Sequence, residues 1–163
     1  MTVPGGQRRG RAIAMTLEEA AAFLAAERTC RVATVGGDGR PHVAPLWFVW
    51  DGAALWLNSI VRSRRWTDLA RDPRVAVVVD AGEDFFELRG VEITGRAEPV
   101  GAVPRGDEEQ PELPPVERAF ARKYTGSNTF VPDGRHAWLR VVPETLVSWD
   151  HRKIAGLPPR PGA

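Results

Sequence analysis

A recurring series of tight-turn signals, each lying between two short runs of β-branched and aromatic residues, is the feature that most restricts the fold. Glycine beside aspartate or a second glycine accepts the positive φ angles that two-residue β-hairpin turns require. These signals are Gly36-Gly37-Asp38-Gly39, Asp51-Gly52, Ala81-Gly82-Glu83-Asp84 and Asp133-Gly134. Because hairpin turns join antiparallel neighbours, the series predicts a mainly β chain of six or seven antiparallel strands with short helices, which is typical of a small barrel.

The hydrophobic periodicity between these turns gives the extent of each predicted element. We expect strands over residues 30–35, 40–50, 54–57, 75–79, 85–99, 135–142 and 145–150. We expect helices over residues 17–27, 64–71 and 116–124. The nearly all-apolar run 75–79 predicts a strand that is buried on both faces, and Gly95 inside the long strand predicts a bulge or bend.

Length and composition predict a single folded domain. A chain of 163 residues with 43% hydrophobic residues is long enough to bury a core. We expect this domain over residues 15–155, with a flexible basic arm over 1–14 and a flexible tail over 156–163. The proline-rich, acidic stretch 101–115 is interpreted as an exposed loop of the same domain.

Charge and cysteine content argue against several classes of protein. A formal net charge of +1 is not that of a dedicated nucleic-acid-binding protein. Cys30 is the single cysteine, so the chain forms no disulfide with itself, which agrees with a reducing compartment. No segment has the length and apolar character of a membrane span or a signal peptide. We therefore expect a cytoplasmic protein that acts on a small molecule, without a membrane or nucleic-acid partner.

The residues Ser63, Arg64 and Arg65 open the second predicted helix, directly after the third predicted strand. A helix start has unpaired backbone N–H groups and the positive end of the helix dipole, and an arginine fork contacts two phosphate oxygens at once. This combination favours a phosphate site. The alternative from the same residues is a pair of surface ion pairs, since Asp68 follows Arg64 and Arg65 at helical spacing.

Several segments taken together resemble the pyridoxamine 5′-phosphate oxidase-like split β-barrel superfamily. These segments are Ala33-Thr34-Val35, Asp38-Gly39-Arg40-Pro41-His42-Val43, Pro45-Leu46-Trp47-Phe48, Ser63-Arg64-Arg65 ahead of Pro73, and the run from Arg89 to Ala97. The resemblance extends over residues 17–150. It implies an FMN-binding split barrel fold and a homodimer with a flavin or deazaflavin in each of two clefts at the subunit interface.

The resemblance also implies roles for particular residues of this chain. Ser63, Arg64 and Arg65 match the run that holds the cofactor phosphate, with arginine in place of the usual lysine at the last position. Asn58 and Ser59 match strand-end positions that line the polar chain of the cofactor. Val43, Ala44 and Pro45 match the segment that lies along its ring system.

Two departures from the family pattern bear on the cofactor. Gly90 stands where the oxidase has a glutamine that holds FMN, and the C-terminal Arg-x-His substrate signature of the oxidase is missing. The ending Trp149-Asp150-His151-Arg152-Lys153 instead resembles the branch of the superfamily that uses the deazaflavin coenzyme F-420. We therefore expect an F-420-dependent oxidoreductase that transfers hydride between reduced F-420 and a small organic acceptor.

The alternatives are an FMN-binding protein similar to pyridoxamine phosphate oxidase, a cofactor carrier without turnover, and a haem-binding protein on the same barrel. Haem would require an axial ligand such as His42 or His151. Among the three histidines, His42, on the second predicted strand beside the ring-contacting segment, is the best candidate for a proton donor, while His136 and His151 are interpreted as ordinary strand or turn residues. Tyr124 is a second candidate, for which a surface or interface role at the end of a helix is favoured. We assign most of the six tryptophans to the core or a dimer interface and leave Trp47 and Trp66 as candidates for the edge of the cleft.

Overall fold

The computed structural model describes residues 10–156. The strands are β1 Thr29–Val35, β2 Pro41–Trp50, β3 Leu55–Ile60, β4 Arg74–Ala81, β5 Arg89–Val100 and β6 His136–Asp150. The α-helices are α1 Leu17–Ala26, α2 Arg64–Arg71 and α3 Pro114–Thr125, and the 3₁₀ turns are Arg11–Ile13, Phe85–Glu87 and His151–Gly156. Most of the predicted arm 1–14 and tail 156–163 lies outside the described residues.

The six strands form one closed antiparallel barrel in the order β1-β2-β3-β6-β5-β4. The predicted fold class, a mainly β barrel with short helices, is therefore confirmed. Alternate residues of each strand point inward, and those of β4 and β5 include Val77, Val79, Val91 and Ile93, none more than 1% exposed. Helix α1 covers one end of this core through Phe23 and Leu24. None of the helices in the described part of the chain is long and apolar enough to cross a membrane.

Helix α3 packs on the outside of the barrel, so part of the outer face is also buried. A second apolar cluster joins Trp56 of β3 and Trp138 of β6 to Leu113 and Val116 at the start of α3. Trp138 is completely buried there. Of the six tryptophans, which were predicted to lie mostly in the core or a dimer interface, Trp56 and Trp138 are buried. The outer face beside α3 is where the candidate site lies.

Three predicted elements differ from the structure. The prediction that strand 75–79 is buried on both faces is wrong, because burial alternates along β4 and its outward residues are only partly covered. The predicted strand 85–99 begins only at Arg89, since Phe85–Glu87 forms a 3₁₀ turn. The predicted break at Pro143-Glu144 is absent, and β6 runs unbroken from 136 to 150.

The predicted irregularity at Gly95 is confirmed and explains the unbroken β6. The register between β5 and β6 shifts between Thr94 and Gly95, so that Thr94 pairs with Thr145 but Gly95 pairs with Pro143. Glu144 is thus the extra residue of a β-bulge. A proline is tolerated at such a position because the ladder does not need its missing N–H.

We expect Gly95→Ala to lower the free energy of unfolding by about 1–3 kcal/mol, because overpacking forces the backbone to move. A Cβ atom on Gly95 would lie 2.1 Å from the backbone oxygen of Val142. Urea unfolding would measure the change. Gly10→Ala is the matched control, since a Cβ there would have no neighbour within 4 Å; equal stability of the two variants would contradict the bulge argument.

Candidate cofactor and ligand site

The connection from β3 to α2 brings the predicted phosphate residues to one end of the barrel. Ser63 is the N-cap of α2, and its side-chain oxygen accepts a hydrogen bond from the backbone N–H of Trp66 at 3.2 Å. This contact satisfies one of the N–H groups that a helix start leaves unpaired. The local sequence therefore fixes where α2 begins, with Arg64 and Arg65 in its first turn.

Arg65 points into the barrel instead of into solvent. It is 5% exposed, and its Nε and Nη2 donate to Ser59 Oγ at 3.3 and 3.1 Å. Ser59 is itself completely buried. Burial lowers the pKa of Arg65. These two predicted site residues are thus in contact with each other, and they tie the first turn of α2 to the end of β3.

Arg64 points the other way, and its side chain is 53% exposed. Its Nε lies 3.8 Å from Asp68 Oδ2. Arg64 therefore forms the predicted ion pair with Asp68, but at a distance too long for a direct hydrogen bond. Arg65 shows no such pair with Asp68 among the described contacts. Asp68 is 4% exposed and accepts a hydrogen bond from Thr34 Oγ1 at 2.9 Å. The Arg64 guanidinium is therefore both anchored and accessible.

Strand β2 presents its predicted ring-contacting residues on two faces. Val43 is 64% exposed, and the exposed side chains alternate along the strand. Pro45 and Trp47 share the outer face with Val43, since residues two apart point the same way. Ala44 lies on the opposite face. We call Val43, Pro45 and Trp47 the outer row.

His42 also lies on the face opposite the outer row. Its Nδ1 is 3.5 Å from Thr34 Oγ1, whose proton is donated to Asp68. Because Thr34 has a single hydroxyl proton, the His42 Nδ1 carries the hydrogen of this contact. The structure therefore separates this proton-donor candidate from Val43 and Pro45.

The outer row leads to a pocket of about 320 Å³ beside α3. Its apolar wall includes Trp47, Phe120 and Phe130. Trp47 stacks on Tyr124 with ring centroids 4.3 Å apart and an 8° angle between the planes. The Tyr124 hydroxyl contacts the backbone of Phe48 through both N–H and C=O. We call this space the aromatic pocket.

Three polar side chains line the same pocket: Asn58, Asp133 and His136. Asn58 Nδ2 is buried and has no hydrogen-bond partner among the described residues. His136 Nδ1 lies 2.7 Å from Asp133 Oδ2. Burial raises the pKa of Asp133, but hydrogen bonds from the backbone N–H groups of Arg135 and His136 and from the His136 ring outweigh it and lower that pKa to about 2. Asp133 is therefore an ionised acceptor at neutral pH.

The interpretation of His136 as an ordinary strand residue overlooked this pair. Asp133 was assigned only to a turn, yet its spacing of three from His136 is the signal that could have suggested a contact. His151 shows the ordinary behaviour expected of it, since its Nδ1 contacts the backbone oxygen of Phe85 at 2.8 Å.

Comparison with known families agrees with this architecture. The family model described as pyridoxamine 5′-phosphate oxidase matches residues 16–150. The chain belongs to this family. A crystal structure of a conserved hypothetical protein from Mycobacterium tuberculosis is similar to this chain, with 34% identity, a TM-score of 0.77 and 98% of each chain covered.

Two more distant structures show the family fold. An F420 reductase is 21% identical to this chain, with a TM-score of 0.60. The match covers 88% of this chain and 98% of the reductase chain. A FAD-binding protein from Mesorhizobium loti is 24% identical to this chain, with a TM-score of 0.61. The match covers 82% of this chain and 94% of the FAD-binding protein. No curated protein matches the sequence.

The residues present fit a planar cofactor with a phosphate. The accessible Arg64 stands at a helix start, and a Cβ on Gly36 would lie 3.0 Å from its Nη2. Gly36 begins the turn that leads into β2, so the guanidinium lies near the turn that precedes Pro41, the first residue of β2. An exposed cation at a helix start and an exposed apolar strip on β2 together suit a molecule that is anionic at one end and flat and apolar at the other.

Proposed function

We propose that this protein binds coenzyme F-420 and transfers hydride between reduced F-420 and a small organic molecule. The observation that carries the proposal is the exposed Arg64 guanidinium at the start of α2, close to the Gly36 turn that leads into β2. The likeness to an F420 reductase supports the choice of cofactor, as does the resemblance of the C-terminal segment to the F-420-using branch. FMN is the alternative cofactor.

In this proposal most of the predicted residues have distinct tasks. Arg64 and the backbone N–H groups of the first turn contact the phosphate, and Arg65 with Ser59 holds that turn against β3. Asn58 keeps its place beside the polar chain of the cofactor. We further propose a homodimer in which the outer row lies along the ring, close to the partner subunit, whereas the side chain of Ala44 lies on the opposite face of β2 and makes no contact with the ring. His42 receives no part in proton transfer, because it lies on the other face of β2.

The bound deazaflavin would supply the hydride chemistry, and the protein would supply orientation and exclusion of water. The side chains of Val43 and Pro45 cover one side of the proposed ring position with apolar surface. Water that is kept away from this surface cannot compete for a reactive intermediate. Because the cofactor would supply the hydride chemistry, the protein needs no nucleophile or carboxylate pair of its own.

The test is a pair of fluorescence titrations, one with F-420 and one with FMN, followed by single-turnover oxidation of reduced F-420 with a panel of conjugated carbonyl acceptors. We expect tighter binding of F-420 and loss of the reduced-cofactor spectrum with at least one acceptor. Tight FMN binding without F-420 binding would overturn the choice of cofactor. Binding of F-420 with no oxidation by any acceptor would indicate a carrier.

We expect Arg64→Ala to weaken F-420 binding by about tenfold to a hundredfold, since a hydrogen bond to a charged group contributes about 1.5–3 kcal/mol. Isothermal titration calorimetry would measure the change. Arg118→Ala is the matched control, because Arg118 is an exposed arginine on α3. Equal affinities of the two variants would show that Arg64 does not contact the cofactor.

A further inference from the structure

We propose that the space between α1, β2 and α3 binds a small monocarboxylate with an apolar chain, and that Lys123 and Arg122 pair with its carboxylate. We call this space the lysine pocket. Its lining residues are Ala25, Val49, Trp50, Ala119, Arg122 and Lys123. None of them belongs to the proposed cofactor site, so the inference goes beyond the proposed function and does not rest on it.

The ammonium group of Lys123 lies at this pocket without a counter-ion. Its Nζ donates to the backbone oxygen of Leu24 at 3.1 Å and lies 3.9 Å from the centroid of the Phe48 ring. Among the described residues, no carboxylate forms an ion pair with it, whereas the other lysine of the chain, Lys153, pairs with Glu19 at 2.5 Å. A half-buried cation without a counter-ion has lost hydration that an anion can replace.

The groups around Lys123 do not supply the missing negative charge. Burial lowers the pKa of Lys123 to about 8, and the charges of Arg28 and Glu27, which follow α1, act on that pKa in opposite directions. Cys30 lies near it on β1, but burial raises the pKa of this thiol to about 12, so the thiol is neutral at pH 7. An anion in the lysine pocket would favour the charged amine and raise the pKa of Lys123.

Two further side chains of the lysine pocket are donors that lack an anionic acceptor. Trp50 Nε1 is buried and has no hydrogen-bond partner among the described residues, and such a donor costs stability until an acceptor reaches it. Arg122 is exposed, and its Nε donates to the neutral amide oxygen of Asn128 at 2.5 Å. Since no carboxylate lines the pocket, its polar groups favour an anion over a cation.

The remaining walls set the shape of the anion. Ala25, Val49 and Ala119 present apolar surface to the pocket, which has a volume of about 390 Å³. Because an apolar cavity of about 150 Å³ holds one benzene ring, there is room for a carboxylate with a chain of roughly six carbons. A phosphate group would leave charged oxygens against the apolar walls, which is costly. A monocarboxylate instead has its charge at one end and an apolar chain at the other.

The experiment adds hexanoate to the full chain labelled with ¹³C at lysine Cε, because the chemical shift of this carbon reports the protonation of its amine. The chain has two lysines, so Lys153 is an internal control. Hexanoate should raise the titration midpoint of Lys123 from about 8 by about one pH unit, as an about tenfold preference for the charged amine gives. Its affinity should be full below pH 8 and fall by about tenfold above it, where the free amine loses its charge. The Lys153 signal should not respond.

Variants and a neutral ligand separate the charge from the pocket. Lys123→Met should weaken hexanoate binding by about tenfold and remove its pH dependence, while Lys123→Arg should keep the affinity at pH 7. Trp50→Phe should weaken binding by about threefold to tenfold, as loss of one hydrogen bond gives. Lys153→Met is the matched control and should bind as the wild type does, because Lys153 lies outside the pocket.

Equal affinity for hexanoate and hexan-1-ol, or equal affinity of the wild type and Lys123→Met, would overturn the proposal. Tighter binding of inorganic phosphate than of hexanoate would also overturn it. If no anion binds and Lys123→Met changes the mass of the protein in solution, the counter-ion comes from a second subunit and the proposal fails. Displacement of hexanoate by F-420 would place the pocket in the cofactor site and would likewise contradict it. If hexanoate binds as expected while F-420 does not bind, only the proposed function fails.

Discussion

Glu117→Leu is expected to lower the free energy of unfolding by about 3–5 kcal/mol, because it leaves a buried arginine without its counter-charge. Arg105 Nε donates to Glu117 Oε1 at 2.8 Å, and the two side chains are 10% and 11% exposed. The same Glu117 oxygen accepts from Trp138 Nε1 at 3.2 Å. One substitution therefore removes the partner of two buried donors. Because a domain of this size is stable by about 5–15 kcal/mol, the loss would show clearly in urea unfolding.

Two further variants separate the buried pair from the general effect of removing a charge. Glu98→Leu is the matched control, since Glu98 pairs with Arg140 but its side chain is 50% exposed. Exposed pairs contribute about 0–1 kcal/mol, so little change is expected. Replacing Arg105 by methionine in the Glu117→Leu background should recover much of the loss, since no unpaired charge remains. A double variant as unstable as Glu117→Leu would contradict this explanation.

The Arg105–Glu117 pair also shows which part of the structure local sequence patterns reveal. The stretch 101–115 has the composition of an exposed loop, and that composition gives no sign of a buried arginine. Arg105 becomes buried because its backbone N–H donates to the backbone oxygen of His136 at 2.7 Å. Its guanidinium donates to the backbone oxygens of Gly106 and Glu108. These partners come together only when α3 packs on the outer face of the barrel.

Local signals succeeded where a short range of sequence decides the structure. Thr16 and Glu19 form a capping box and Ser63 is an N-cap, so α1 and α2 begin at the predicted residues 17 and 64. The run 75–79 gave a wrong result because hydrophobicity alone does not distinguish a strand between two layers from a barrel strand. In β4, Val75 and Val77 fill the interior, while Ala76 lies outside and is only partly covered.

In the candidate site, too, some features follow from the sequence and others depend on the tertiary structure. The resemblance gave the residues at the β3–α2 connection, but the directions of Arg64 and Arg65 depend on which one reaches Ser59 inside the barrel. Neighbouring residues of a helix point about 100° apart, so they cannot share one face. The Asp133–His136 contact lies at the edge of a pocket assembled from β2, β3, β6 and the chain after α3. No single segment of sequence contains that information.

Val43→Arg is expected to abolish the proposed homodimer, and F-420 binding with it. Val43 is 64% exposed, and Trp47 on the same face of β2 is 47% exposed. Two-fold symmetry places the same surface of both subunits at the interface, so one substitution introduces two charges. An unpaired charge removed from water costs several kcal/mol, and each 1.4 kcal/mol is a tenfold change in affinity. We therefore expect dissociation to increase by roughly a thousandfold or more.

Size-exclusion chromatography with light scattering would measure the mass of the wild-type protein and of the variant at equal concentration. The expected result is a dimer for the wild type and a monomer for Val43→Arg, with the same circular dichroism spectrum for both, since an exposed position on β2 does not contribute to the barrel interior. Val103→Arg is the matched control, because Val103 is 45% exposed in the loop between β5 and α3. A dimeric Val43→Arg variant that still binds F-420 would place both the interface and the cofactor ring away from the outer row. If the wild type is a monomer that binds F-420, the cofactor needs no partner subunit, and only the phosphate contact of Arg64 would remain of the proposed site.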